Sequence, residues 1–100
     1  MKQDKVLSML GLANRAGKII SGEELIIKGI RKGKILLVIL SEDISENTRK
    51  KISDKCLFYK IPYYTAFKRE QLGHAIGKSS RVAIGITERN FVKELEKVLE

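Results

Sequence analysis

Apolar residues recur along the chain with two different periods, and the switches between them mark out the elements. Val6, Leu7, Leu10 and Ala13 return at three- and four-residue steps, the spacing of one helix face, with Asp4 as its cap and an end near Gly17. Lys18, Ile19 and Ile20 leave room only for a short strand. Gly22 permits a tight turn into a second helix that runs to about Lys32, turns Ile26, Ile27 and Ile30 inward and stops at Gly33. Residues 35–40 are apolar without alternation, which predicts a strand covered on both faces.

Ser45 caps a third helix along which Thr48, Ile52, Cys56 and Tyr59 recur at helical spacing. Residues 61–65 read as a short strand, and Pro62 assigns it to a sheet edge or places the proline at a strand start. A fourth helix over 68–76 ends at Gly77, and residues 82–87 form a second internal strand. The last helix, from about Asn90 to Leu99, turns Phe91, Leu95, Val98 and Leu99 inward. Helices and strands alternate throughout, so the expected class is α/β: a three-layer α/β/α sandwich around a small mixed sheet, as one domain over 1–100.

Charge narrows the function. The chain is 43% hydrophobic, enough for a core, yet carries 20 Lys and Arg against 12 Asp and Glu, for a net charge of +8. Such a domain attracts polyanions, because each neutralised phosphate releases condensed counterions. Solubility alone is the plainer use of the same excess. Each half of the chain holds 10 basic and 6 acidic side chains, so no basic tail exists and any anion-binding patch is assembled by folding. Between Leu25 and Ser41 stand Lys28, Arg31, Lys32 and Lys34 with no acid.

Chemistry is sparse. His74 is the only histidine and Cys56 the only cysteine, which leaves no zinc set and no intrachain disulfide. Cys56 falls on the apolar stripe of its helix, where packing is its expected role. The glycines match neither the phosphate loop nor the dinucleotide fingerprint. Glu42 and Asp43 are better read as acids at a helix start than as magnesium ligands. No catalytic set, metal or cofactor is therefore expected. The longest apolar run is six residues and no apolar signal core follows the first residues, so the expectation is a cytoplasmic protein.

Two segments are candidates for contact with nucleic acid. On the second helix Glu24, Lys28 and Arg31 follow i, i+4, i+7, with Lys32 one turn beyond Lys28, opposite the apolar face. Backbone N–H groups of Gly22, Glu23 and Glu24 at the helix start suit a phosphate or a base edge. A solvated face with a Glu24–Lys28 ion pair is the competing explanation. The second segment is the loop of Lys78, Ser79, Ser80 and Arg81, in which cations and hydroxyls can hold phosphates.

Taken in order, LGLANRAGKIISGEELIIKGIRKG at 10–33, LSED at 40–43, IPY at 61–63, LGHAIG at 72–77 and RVAIGIT at 81–87 make the chain similar to the kink-turn-binding ribosomal-protein family, nearest its bacterial YlxQ-like branch. The resemblance covers nearly the whole chain and implies an α/β/α sandwich that recognises a kinked RNA helix with tandem sheared G·A pairs. It implies that Gly22, Glu23, Glu24 and Leu25 lie against those purines and that Lys28 and Lys32 contact the RNA. It also implies that the loop of Lys78 to Arg81 covers extruded nucleotides, with Asp43 and Ile44 beside it. The family pattern at the turn is Gly-x-Asn-Glu-x-x-Lys, and here Glu24 replaces the Asn and Leu25 the Glu. An ionised Glu24 accepts hydrogen bonds but donates none, so donors must come from the backbone or Lys28.

The expected function is thus non-catalytic binding of a kink-turn-like RNA, ribosomal or regulatory, by a ribosomal-type protein expected to be monomeric. The rival is a protein-interaction module of the ribosome or translation machinery whose RNA face has weakened, for which the Glu24 and Leu25 replacements speak.

Overall fold

The computed structural model describes residues 2–99. Its elements follow the expected alternation: α1 (Lys2–Arg15), β1 (Ile19–Ser21), α2 (Glu23–Arg31), β2 (Leu37–Leu40), α3 (Glu46–Tyr59), β3 (Tyr63–Thr65), α4 (Arg69–Ala75), β4 (Ala83–Ile86) and α5 (Arg89–Leu99). The four strands form one mixed sheet in the order β1-β4-β2-β3, with β4 antiparallel to both its neighbours and β3 parallel to β2.

Period-two geometry explains why β2 and β4 are apolar at every position. Leu37 and Ile39 with Ile84 and Ile86 point to one face, where Val6, Leu10, Leu72, Val92 and Leu95 cover them. Val38, Leu40 and Ala83 point to the other, under Ile26, Ile30, Ile52 and Cys56. Helices α1, α4 and α5 thus form one layer and α2 and α3 the other, which is the three-layer sandwich. At Gly85 a Cβ would lie 2.7 Å from Ile35 Cδ1, so the glycine makes room for the isoleucine beneath α2.

Pro62 immediately precedes the edge strand β3, where its carbonyl accepts from Val38 N at 3.1 Å and its missing N–H costs nothing. Besides the shorter ends of β2, β3, α4 and β4, four details differ from the expectations. Asp4 does not cap α1, because the helix already runs from Lys2; Asp4 lies in its first turn, where its charge complements the helix dipole. β1 is shifted one residue, to end at Ser21. In α5 the fully buried positions are Val92 and Leu95, while Phe91, Val98 and Leu99 flank them half-buried. The inward stripe of α3 stops at Cys56: the helix reverses at Lys60 in the left-handed conformation, and Tyr59, 40% exposed, meets the still more exposed Phe58 edge-on.

Candidate nucleic-acid interface

Gly22 has φ 101°, a conformation open to glycine at little cost, and it turns the chain from β1 into α2. Its carbonyl accepts from Ile26 N at 2.9 Å, while the N–H groups of the first turn face outward as the start of the helix requires. Burial of Ile26, Gly29 and Ile30 turns Glu24, Leu25, Lys28, Arg31 and Lys32 to solvent. Within that set the structure separates two groups. Leu25, Lys28 and Lys32 join Lys34 in walling a groove of about 410 Å³ along Ile19, Ile20 and Ser21 of β1; Glu24 and Arg31 lie outside its lining. Leu25 is 61% exposed, an apolar contact point among cations.

Glu23, grouped with Glu24 in the sequence, has a different position. Its carboxylate accepts from Thr48 Oγ1 at 3.0 Å and from Lys51 Nζ at 3.2 Å, tying the start of α2 to α3. The hydrogen bond from Thr48, then that from Lys51, hold its pKa below the ordinary glutamate value. A carboxylate depressed in this way stabilises the fold above its unfolded pKa and loses that contribution as pH falls through the folded value. Thr48→Val should therefore lower stability by about 1 kcal/mol at pH 7. The gap between wild type and variant should close in thermal melts taken below pH 4.5, the ordinary glutamate value. A gap independent of pH would show that the threonine acts by packing instead.

The other segments meet α2 at the same end of the sheet. Arg81 Nε donates to Ser21 Oγ at 3.2 Å and its Nη1 to the Ser80 carbonyl at 2.6 Å, which lays loop 77–82 beside the end of β1. Ser41 N donates to the Val82 carbonyl at 2.8 Å, joining the same loop to the end of β2. Lys78 and Ser79 are exposed, Ser80 and Arg81 half-buried. Asp43 Oδ1 accepts from Arg69 N at 3.0 Å and its Oδ2 lies 3.5 Å from Arg69 Nε. Ile44 is half-buried against the core under α2 and α3.

The α2 start, the turn at Asp43 and loop 77–82 are therefore brought to one end of the sheet, while Lys28, Arg31 and Lys32 follow along α2 away from it; their side chains are differently engaged. Lys28, Arg31, Lys32, Lys78, Ser79 and Glu24 face solvent, whereas Glu23, Asp43 and Arg81 bond to other parts of the chain. Sequence reasoning missed Ser21, Thr48, Lys51, Arg69 and Gly73. The first four act through partners more than 20 residues away. Gly73 acts by having no side chain: a Cβ there would stand 2.5 Å from Ser80 Cα.

His74 is exposed. Cys56 is fully buried, and burial pushes its thiol up to about 11, far from a reactive thiolate. Among the described residues no group of three or more His, Cys, Asp or Glu side chains is placed to hold a metal ion, and no helix is long and apolar enough to cross a membrane.

Comparison with known proteins places the chain in a family. RNA-binding protein YlxQ of Bacillus subtilis is 49% identical over 92 residues, which span 92% of each chain. Large ribosomal subunit protein eL8 of Thermoplasma volcanium is 31% identical over 93% of this chain and 78% of its own. A solved structure of a protein of unknown function from Bacillus halodurans superposes with a TM-score of 0.92 at 44% identity, covering 95% of this chain and 96% of that one. The profile of the ribosomal protein L7Ae/L30e/S12e/Gadd45 family matches residues 4–96, and the chain belongs to that family.

Proposed function

We propose that the chain binds a structured RNA of the kink-turn type, as a cytoplasmic monomer acting on ribosomal RNA or a regulatory RNA. It belongs to a family of non-catalytic proteins and is not an enzyme. The observation that carries the RNA reading is the convergence of the α2 start, the turn after β2 and loop 77–82 on one end of the sheet. The likeness to the B. subtilis RNA-binding protein YlxQ supports it.

In this reading Lys28, Arg31 and Lys32 neutralise phosphates along one side of the bend. N–H groups of Gly22, Glu23 and Glu24, with the Glu24 carboxylate as acceptor, meet the exposed purine edges. Lys78, Ser79, Ser80 and Arg81 cover the extruded nucleotides, and Asp43 and Ile44 close the site beside them. Phosphates supply affinity, while the shape of the bend supplies selectivity.

The test is a titration of a short kink-turn RNA against the same RNA with Watson–Crick pairs in place of its tandem G·A pairs, at about 0.15 M salt, where nonspecific binding is weak. Binding tighter by tenfold or more to the kinked form is expected. Equal binding that falls steeply with salt would leave only a generic basic surface. A second reading, a docking module for a protein of the ribosome or its assembly, draws on Leu57 and Phe58, exposed at 67% and 77% on α3, and gains if that result is found.

A further inference from the structure

Four polar groups on four separate segments form one chain of bonds behind the proposed interface. Asp43, in the turn after β2, accepts from the backbone N–H of Arg69 at 3.0 Å. The Arg69 guanidinium returns to the same residue, with Nη2 donating to the Asp43 carbonyl and Nε 3.5 Å from its carboxylate. The Arg69 carbonyl accepts from Arg81 N at 3.0 Å, and Arg81 Nε continues to Ser21 Oγ at 3.2 Å, next to Gly22. Arg69 is thus engaged at two points through its backbone and at a third through its guanidinium. The guanidinium fixes the start of α4 to the turn at Asp43, and the backbone carbonyl passes that position on to Arg81, so removing the side chain acts on loop 77–82 through the start of α4.

We infer that Arg69 is a positioning residue for RNA binding, which holds loop 77–82 and the turn at Asp43 in their bound arrangement before RNA arrives. The inference rests on the RNA-binding reading for its consequence, though not for the clamp itself. Ordering a loop in advance removes an entropic cost from association. Its loss therefore appears as weaker binding at an unchanged number of phosphate contacts. Electrostatics gives the opposite sign at Asp43: removing a carboxylate beside a polyanion should tighten binding, whereas breaking the clamp should weaken it.

The experiment measures Arg69→Ala, Arg69→Lys, Asp43→Asn and the double variant Arg69→Ala/Asp43→Asn against kink-turn RNA over a range of salt. Amide hydrogen exchange of Ser79, Ser80 and Arg81 is followed in the free proteins. Arg69→Ala and Asp43→Asn should each weaken binding roughly tenfold with the salt slope unchanged, and the double variant should be no worse than either single one. Arg69→Lys keeps the charge without the planar fork and should restore little. Exchange in the loop should rise in every variant.

A salt slope shallower by about one in Arg69→Ala, with full rescue by lysine and tighter binding by Asp43→Asn, would make Arg69 an ordinary phosphate contact and overturn the inference. Unchanged loop exchange would overturn it as well. If the wild-type protein shows no preference for kinked RNA, the functional reading fails on that titration alone, and loop exchange in the free protein still decides whether the clamp exists.

Discussion

Gly73→Ala should unseat loop 77–82, lower stability by about 1–3 kcal/mol and weaken RNA binding together. The added Cβ would lie 2.5 Å from Ser80 Cα, 2.6 Å from Ser80 N and 2.9 Å from Ser79 C, all backbone atoms that cannot rotate away. The same loop is held to α4 by Lys78 N donating to the Gly73 carbonyl at 2.8 Å and by Arg81 N donating to the Arg69 carbonyl at 3.0 Å. Moving the backbone to relieve the overlap strains both bonds. Intrinsic helix propensity points the other way, since alanine is favoured over glycine by about 0.8–1.0 kcal/mol in a helix interior. The sign of the change therefore decides between the two effects. For a domain of this size a loss of 1 kcal/mol lowers the melting temperature by roughly 4–8 °C. A variant that melts higher than wild type would show that the loop does not rest on the helix at Gly73.

How much of this was legible in the sequence depended on distance along the chain. Apolar periods, with glycine stops and Pro62 for the short elements, marked the nine elements of the described residues because each signal is local to its element, and the non-alternating β2 and β4 announced a sheet covered on both faces. Ends were less legible. α1 runs from Lys2, so Asp4, read as its cap, lies inside its first turn. The exposed face of α2 was readable because Lys28 and Arg31 lie on one helix a turn apart and Lys32 caps its end.

Long-range pairings left no trace in the sequence. Glu23 reads as half of an acidic helix start until the fold brings Thr48 and Lys51 to it. Asp43 and Arg81 read as RNA-facing residues by resemblance, and nothing in their spacing from Arg69 or Ser21 says that each is engaged within the chain. In the proposed reading their roles divide physically: residues bonded across segments would set the shape of the interface, and cations without such bonds would be available for phosphates. That division also gives Leu25 a place. It lines the groove with Lys28 and Lys32, and in the proposed reading its apolar side chain would pack on a sugar or base and make no polar contact there.

The largest change in affinity from side chains that the fold does not need is expected from Lys28→Ala/Lys32→Ala. Both residues are exposed, so their loss should leave stability within about 0.5 kcal/mol of wild type. If each neutralises one phosphate, the salt slope should become shallower by about two, and the affinity at 0.15 M salt should fall roughly thirtyfold. Lys34 lines the same groove but stands beyond the helix, outside the set assigned to phosphates, and supplies the control. Lys34→Ala should cost much less than either helix lysine if the phosphates follow α2, because the bend then tracks the helix rather than the groove. Equal losses at Lys28, Lys32 and Lys34 would mean that the whole groove attracts RNA without a fixed register. Undiminished binding by the double variant would remove both lysines from the interface and leave Arg31 and loop 77–82 to supply its cations.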